Sequence, residues 1–106
     1  MPPKVLSVQI QPDRSPGLDC RALLASLRAL CADASISEGD EDGRYINVNF
    51  RVADIVGLWS AINALLVADS RFAKSAIVVC QGNQGWDDYL LLHHFDSSLT
   101  LDTLSN

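Results

Sequence analysis

Residues 44–51 read Arg-Tyr-Ile-Asn-Val-Asn-Phe-Arg, so that Ile46, Val48 and Phe50 alternate with Tyr45, Asn47, Asn49 and Arg51. Successive side chains of a strand point to opposite faces, so this period of two specifies a strand with one apolar face and one polar face. Just beyond it the period changes. Ile55, Leu58, Trp59, Ile62, Leu65 and Leu66 recur at helical spacing, and Asp54 stands where an N-cap carboxylate belongs. A strand with one apolar face, followed at once by a helix with one apolar stripe, must bury the two against a common core.

The remaining elements follow from the same patterns. Val5–Ile10 alternates Leu6, Val8 and Ile10 with Val5, Ser7 and Gln9. Gln11–Gly17 is a loop in which Ser15-Pro16 reads as an N-cap followed by proline at the first helical position. The helix it opens is predicted to run to about Ala34, burying Leu23, Leu27, Leu30 and Ala34. Ser35–Glu38 reads as a short strand and Gly39–Gly43 as an acidic turn. The second helix fades near Asp69-Ser70. Ala76–Gln81 is an apolar strand, Gly82–Gly85 a turn, and Trp86–Asp96 contains a last strand, whose core residues are expected to be Leu90 and Leu92. Residues 96–106 form a tail expected to dock loosely.

The order is strand, helix, strand, strand, helix, strand, strand. Its first six elements resemble the split βαββαβ arrangement of ferredoxin-like domains, with an extra C-terminal strand. The resemblance is architectural and brings no motif or site residue. It implies an α+β sandwich in which Val5–Ile10 and Arg44–Arg51 are central neighbours of an antiparallel sheet. Right-handed crossovers then put both helices on one face and leave the other open. At 106 residues the chain is read as a single domain over 1–106.

Charge and cysteine usage narrow the partners. Eight Lys and Arg against thirteen Asp and Glu give a net charge of −5. The cations are scattered and none are adjacent, so the footprint of a nucleic-acid binder is missing. The RNA-recognition motif shares this element order but needs aromatics two residues apart on its third strand. Here Tyr45 is followed by Asn47, and Val5–Ile10 has no aromatic residue. Cys20, Cys31 and Cys80 make an odd count, which argues for reduced thiols in the cytoplasm. Cys20 and Cys31 fall within one predicted helix, which would hold them about 16 Å apart, too far for a disulfide. Met1-Pro2-Pro3-Lys4 has a single cation, and the apolar stretch after it is interrupted by Ser7 and Gln9, so it does not read as a signal peptide. No apolar run has the length of a membrane helix.

No chemical motif is complete. Glu38, Asp40 and Asp42-Gly43 imitate the start of a calcium loop, but its twelfth position is Asn49 and a strand comes after it, so a solvated turn is expected. His93 and His94 are adjacent and would diverge in a strand, so they cannot share a metal ion. A Cys80–histidine dyad would need an accessible thiol, whereas Cys80 ends an apolar strand. Gly82-Asn83-Gln84-Gly85 opens no helix and is a hairpin turn, not a phosphate cradle.

These readings point away from an enzyme and toward a small acidic binding module without cofactor or metal. Its expected partner is another copy of the chain or another protein, as in an inhibitor-type protein, with no nucleic acid and no membrane. The alternative is a small dimeric enzyme or ligand-binding protein with a pocket on the open face. The contact residues expected there are Tyr45, Asn47, Asn49, Arg51, Tyr89, Leu91, His93 and Phe95, with Trp86 beside Tyr89 as an aromatic rim. The purified protein should carry neither stoichiometric zinc nor calcium. Elemental analysis that found about one metal ion per chain would overturn this and direct attention to Cys80 and the histidines.

Overall fold

The computed structural model describes residues 3–41 and 43–104. Met1, Pro2, Asp42, Ser105 and Asn106 lie outside the described residues, and with them the first residues of the N-terminal stretch, the last acid of the acidic turn and the end of the tail. The described residues form five strands and three helices. In chain order these are β1 (Lys4–Ile10), α1 (Cys20–Arg28), β2 (Ala34–Asp40), β3 (Arg44–Val52), α2 (Ile55–Ala68), α3 (Ser70–Ala73), β4 (Ala76–Gly82) and β5 (Gly85–His94).

All neighbouring strands are antiparallel, in the order β2-β3-β1-β4-β5. The protein is therefore α+β, with β1 and β3 adjacent as the alternation requires. A fifth strand extends the sheet beyond β4, so the order is not the four-stranded ferredoxin-like arrangement. Register aligns the apolar sets of the three central strands. Leu6 lies opposite Phe50 and Cys80, Val8 opposite Val48 and Val78, and Ile10 opposite Ile46 and Ala76. All are fully buried, in one cluster with Leu23 and Leu27 of α1 and Ile55, Leu58, Ile62 and Leu66 of α2. Both main helices thus cover the same face of the sheet.

The first helix is shorter than predicted at both ends. Pro12–Arg14 forms a single 3-10 turn, and Gly17 takes φ +90°, which a continuing helix cannot pass. The cap is Asp19, whose carboxylate accepts from the Ala22 N–H (3.1 Å), and not Ser15. Ser15 is buried and donates its hydroxyl to the Arg71 carbonyl (2.7 Å), tying this loop to α3. Because α1 stops at Arg28, Cys31 lies outside the helix, with its sulfur near the carbonyls of Asp33 and Arg51. Strand β2 in turn runs on to Asp40, so Gly39 and Asp40, read as turn residues, pair with Tyr45 and Arg44 in the strand, as Glu38 does with Ile46.

Asp54 caps α2 as expected, accepting from the Gly57 N–H (2.9 Å). Asp69 then ends α2 and accepts from the N–H groups of Arg71 and Phe72, starting the short α3 that drives Phe72 into the core. Leu92 is buried and Leu90 packs against the core, in line with their assignment. The tail is held at a definite point. The Asp102 N–H donates to the Leu91 carbonyl (2.8 Å), and the Leu91 N–H donates to the Asp102 carboxylate (2.8 Å). Leu104 packs against the core beyond this clamp. Among the described residues no helix is long and apolar enough to cross a membrane.

Phe72 sits where the sequence pattern shows only a fading helix, yet it is fully buried. Phe72→Ala should therefore cost about 3–5 kcal/mol, like a truncation within the central strands. Urea denaturation checks this, and a loss below about 1 kcal/mol would contradict the packing described.

Candidate functional site

The face of the sheet away from the helices is built from residues that directly oppose one another and so point the same way. One row crosses all five strands as Ser35, Asn49, Ser7, Val79 and Leu91. The next reads Ser37, Asn47, Gln9, Ile77 and His94. Toward the start of β1, Val5 opposes Arg51. Each full row passes from hydroxyls and amides on β2 and β3 to aliphatic side chains on β4. Among the described residues no acid holds an outward position on these rows, since Glu38 and Asp40 of β2 fall on the helix side of the register.

The centre of the face is a shallow depression of about 270 Å³ lined by Ser7, Gln9, Asn47, Asn49, Ile77 and Val79. Ser7 donates its hydroxyl to the Asn49 side-chain oxygen across the β1–β3 pair. A larger hollow of about 520 Å³ lies off-centre at the β2–β3 hairpin end, with Arg14, Glu41, Arg44 and Tyr45 in its walls. Its lining is polar and charged, unlike the mainly apolar pockets that enclose small ligands. Hydroxyls and amides in the central depression supply hydrogen bonds, and Ile77 and Val79 supply apolar contact. The depression's lining contains no histidine, carboxylate or thiol.

The predicted contact residues separate into four groups. Asn47, Asn49, Arg51 and Leu91 point out on this face, as expected. Tyr45 and Phe95 are half-buried, each resting against a neighbour within the chain. The Tyr45 ring lies across Gly39, its partner on β2, where a side chain on Gly39 would collide with it. Phe95 stacks on His94 (4.3 Å between centroids) and lies under the Arg14 guanidinium, 3.8 Å from the ring centre. Arg14 is in turn held by Gln11, and Gln11 by Gln9, in a chain of side-chain hydrogen bonds along that end of the face.

His93 is the clear correction. Val78 pairs with His93 but Val79 with Leu91, so Leu92 is an extra residue and the strand bulges. The bulge reverses the alternation, turning His93 to the helix side and His94 to the open face. His93 donates from Nε2 to the Ala73 carbonyl at the end of α3 (2.8 Å), because a carbonyl can only accept.

A second irregularity shapes the aromatic rim. Gly82 pairs with Gly85, and the next pair is Cys80 with Leu90, so Trp86–Tyr89 all lie opposite Gln81. The Asp88 carboxylate accepts from the N–H groups of Asn83 (3.0 Å) and Gln84 (2.7 Å), folding this segment over the turn. Trp86 and Tyr89 are left 45% and 55% exposed, at the opposite end of β5 from Phe95. Two contributors to the open face, Ile77 and Val79, are not among the contact residues expected from sequence. The signal is present, since Ala76–Cys80 is apolar at every position and not at alternate ones.

Cys80 is fully buried opposite Leu6 and Leu90. Burial pushes its thiol above the ordinary range; Lys4 pulls it down and Asp102 adds a smaller push upward. Among the described residues no cluster of three or more His, Cys, Asp or Glu could hold a metal ion. Comparisons with protein-family models, curated proteins and solved structures find no match.

A raised pKa means less thiolate at any pH below it, and burial also blocks access. At about pH 8 a disulfide reagent should therefore modify the half-buried Cys20 and Cys31 first, and Cys80 only after denaturant is added. Prompt modification of all three thiols in the native protein would contradict this packing.

Proposed function

We propose that the chain is a non-enzymatic binding module that holds a protein partner on the open face of its sheet. One observation carries the reading. Val5, Ile77, Val79 and Leu91 occupy outward positions on three neighbouring strands, while both main helices stand on the other side. Aliphatic surface gains about 25 cal/mol per Å² when it leaves water, and contiguous apolar surface of this kind marks contact sites. The apolar character of β4 on both faces supports the same reading, because such strands are usually covered on both sides.

The alternative, a small-ligand or enzymatic pocket, has less support. The central depression falls below the roughly 300–1,000 Å³ of ligand sites, and its one hydroxyl, Ser7, is committed to Asn49 with no base in the lining to activate it; the larger hollow at the hairpin end has the volume but is walled by polar and charged groups. The fold itself is proposed to be a five-stranded elaboration of the ferredoxin-like plan. The order β2-β3-β1-β4, with α1 and α2 on one side, supports this, and β5 is the addition. The three unpaired cysteines fit a reducing compartment such as the cytoplasm.

Photocrosslinking in the producing cell tests the reading. Val79→benzoylphenylalanine should give a discrete protein adduct. The same substitution at Val67, which is 80% exposed on α2, should not. Absence of an adduct at position 79, or equal labelling at both positions, would overturn the proposed contact surface.

A further inference from the structure

We infer that the occupant of the open face is a second copy of this chain, related by a twofold axis that runs across the strands. This rests on the open face being the contact surface.

The charge distribution favours a like partner. The chain carries a net −5, so two copies repel wherever their acids approach. The paired outward positions of the sheet carry no acid and one cation, Arg51. Two copies meeting through this face keep their carboxylates at the periphery. A strongly basic partner would find a single carboxylate bordering this face, Glu41 at the hairpin end, with Arg14 and Arg44 in the same hollow.

The rows then select the orientation. Each runs from Ser and Asn on β2 and β3 to an aliphatic residue on β4, with Leu91 beyond it in one row and His94 in the other. An axis parallel to the strands would lay Val79 and Ile77 of one copy on the amides of the other, leaving those amides without partners. An axis across the strands lays β4 on β4 and β3 on β3. Aliphatic surface then meets aliphatic surface, and amides and hydroxyls, which both donate and accept, meet their own kind. An isologous twofold contact requires this self-complementarity.

Size sets the strength. Five strands about 4.8 Å apart and about 20 Å long give roughly 500 Å² per copy, or about 1,000 Å² in all, near the lower bound for a stable interface. The dimer is therefore modest and concentration-dependent.

Sedimentation velocity of the purified chain should show a dimer fraction that rises toward about 200 μM. Val79→Lys and Val79→Glu should each sediment as monomers with an unchanged circular dichroism spectrum. Mixing the two variants should restore the dimer, because the axis brings β4 against β4. Should either variant lose its fold, Leu91→Lys and Leu91→Glu on β5 serve the same test. A monomeric wild type, a dimer indifferent to both charges, or a mixture that stays monomeric would each overturn the proposal. A monomeric wild type together with a position-79 crosslink to a different protein would remove the second copy and leave the contact surface standing.

Discussion

The structure depends on the contact between β1 and its two neighbours. Leu6, Val8 and Ile10 align with Phe50, Val48 and Ile46 on one side and with Cys80, Val78 and Ala76 on the other, and all nine are fully buried. A slip of one residue in either pairing would exchange faces, putting Ser7 or Asn49 into the core and Val8 or Val48 into water. This register fixes which side the helices occupy. It also fixes, by exclusion, what the other side displays. The amide and aliphatic rows of the open face are the complement of the buried rows and cannot shift independently of them.

Local polar contacts complete the frame where register alone does not reach. Asp19, Asp54 and Asp69 each open a helix by accepting from backbone N–H groups that would otherwise lack partners. Asp88 does the same for the β4–β5 turn. Four of the thirteen acids are thus committed to backbone geometry away from the open face. The negative charge of the chain is in this part a by-product of how its elements begin and turn.

Much of this is legible in the sequence, and the failures have identifiable causes. The strands β1 and β3, the helix α2 with its Asp54 cap, and the outward positions of Asn47, Asn49 and Arg51 follow from strict alternation or helical spacing, whereas Leu91 is placed outward only by the mixed character of its residue set. The start of α1 does not, because Ser15-Pro16 and Asp19 are both good initiation signals. What decides between them is the positive φ of Gly17 and the hydroxyl of Ser15 reaching Arg71, fifty-six residues away. The orientation of His93 escapes the pattern because a bulge adds one residue and reverses the phase, while Leu91, Leu92 and the two histidines look alike in either phase. The α3 helix is one turn long and has a single buried side chain, too little for periodicity to register. The contacts of the Tyr45 and Phe95 rings depend on a facing glycine and a distant arginine, which no local pattern reveals.

The Asp102 clamp on Leu91 bears on how such a sheet can grow. A sheet extends sideways when a foreign strand finds free N–H and carbonyl groups along its border. On β5 both groups of Leu91 are taken by Asp102, so an incoming strand would have to displace the chain's own tail before it could hydrogen-bond there. On β2 the opposite border carries Glu38 and Asp40 at positions on the helix side, where an added strand would have to bury them or endure their charge. Both borders thus resist end-on polymerisation into a continuous ribbon, and open-ended assembly through the sheet's hydrogen bonds is closed off while its flat side stays free.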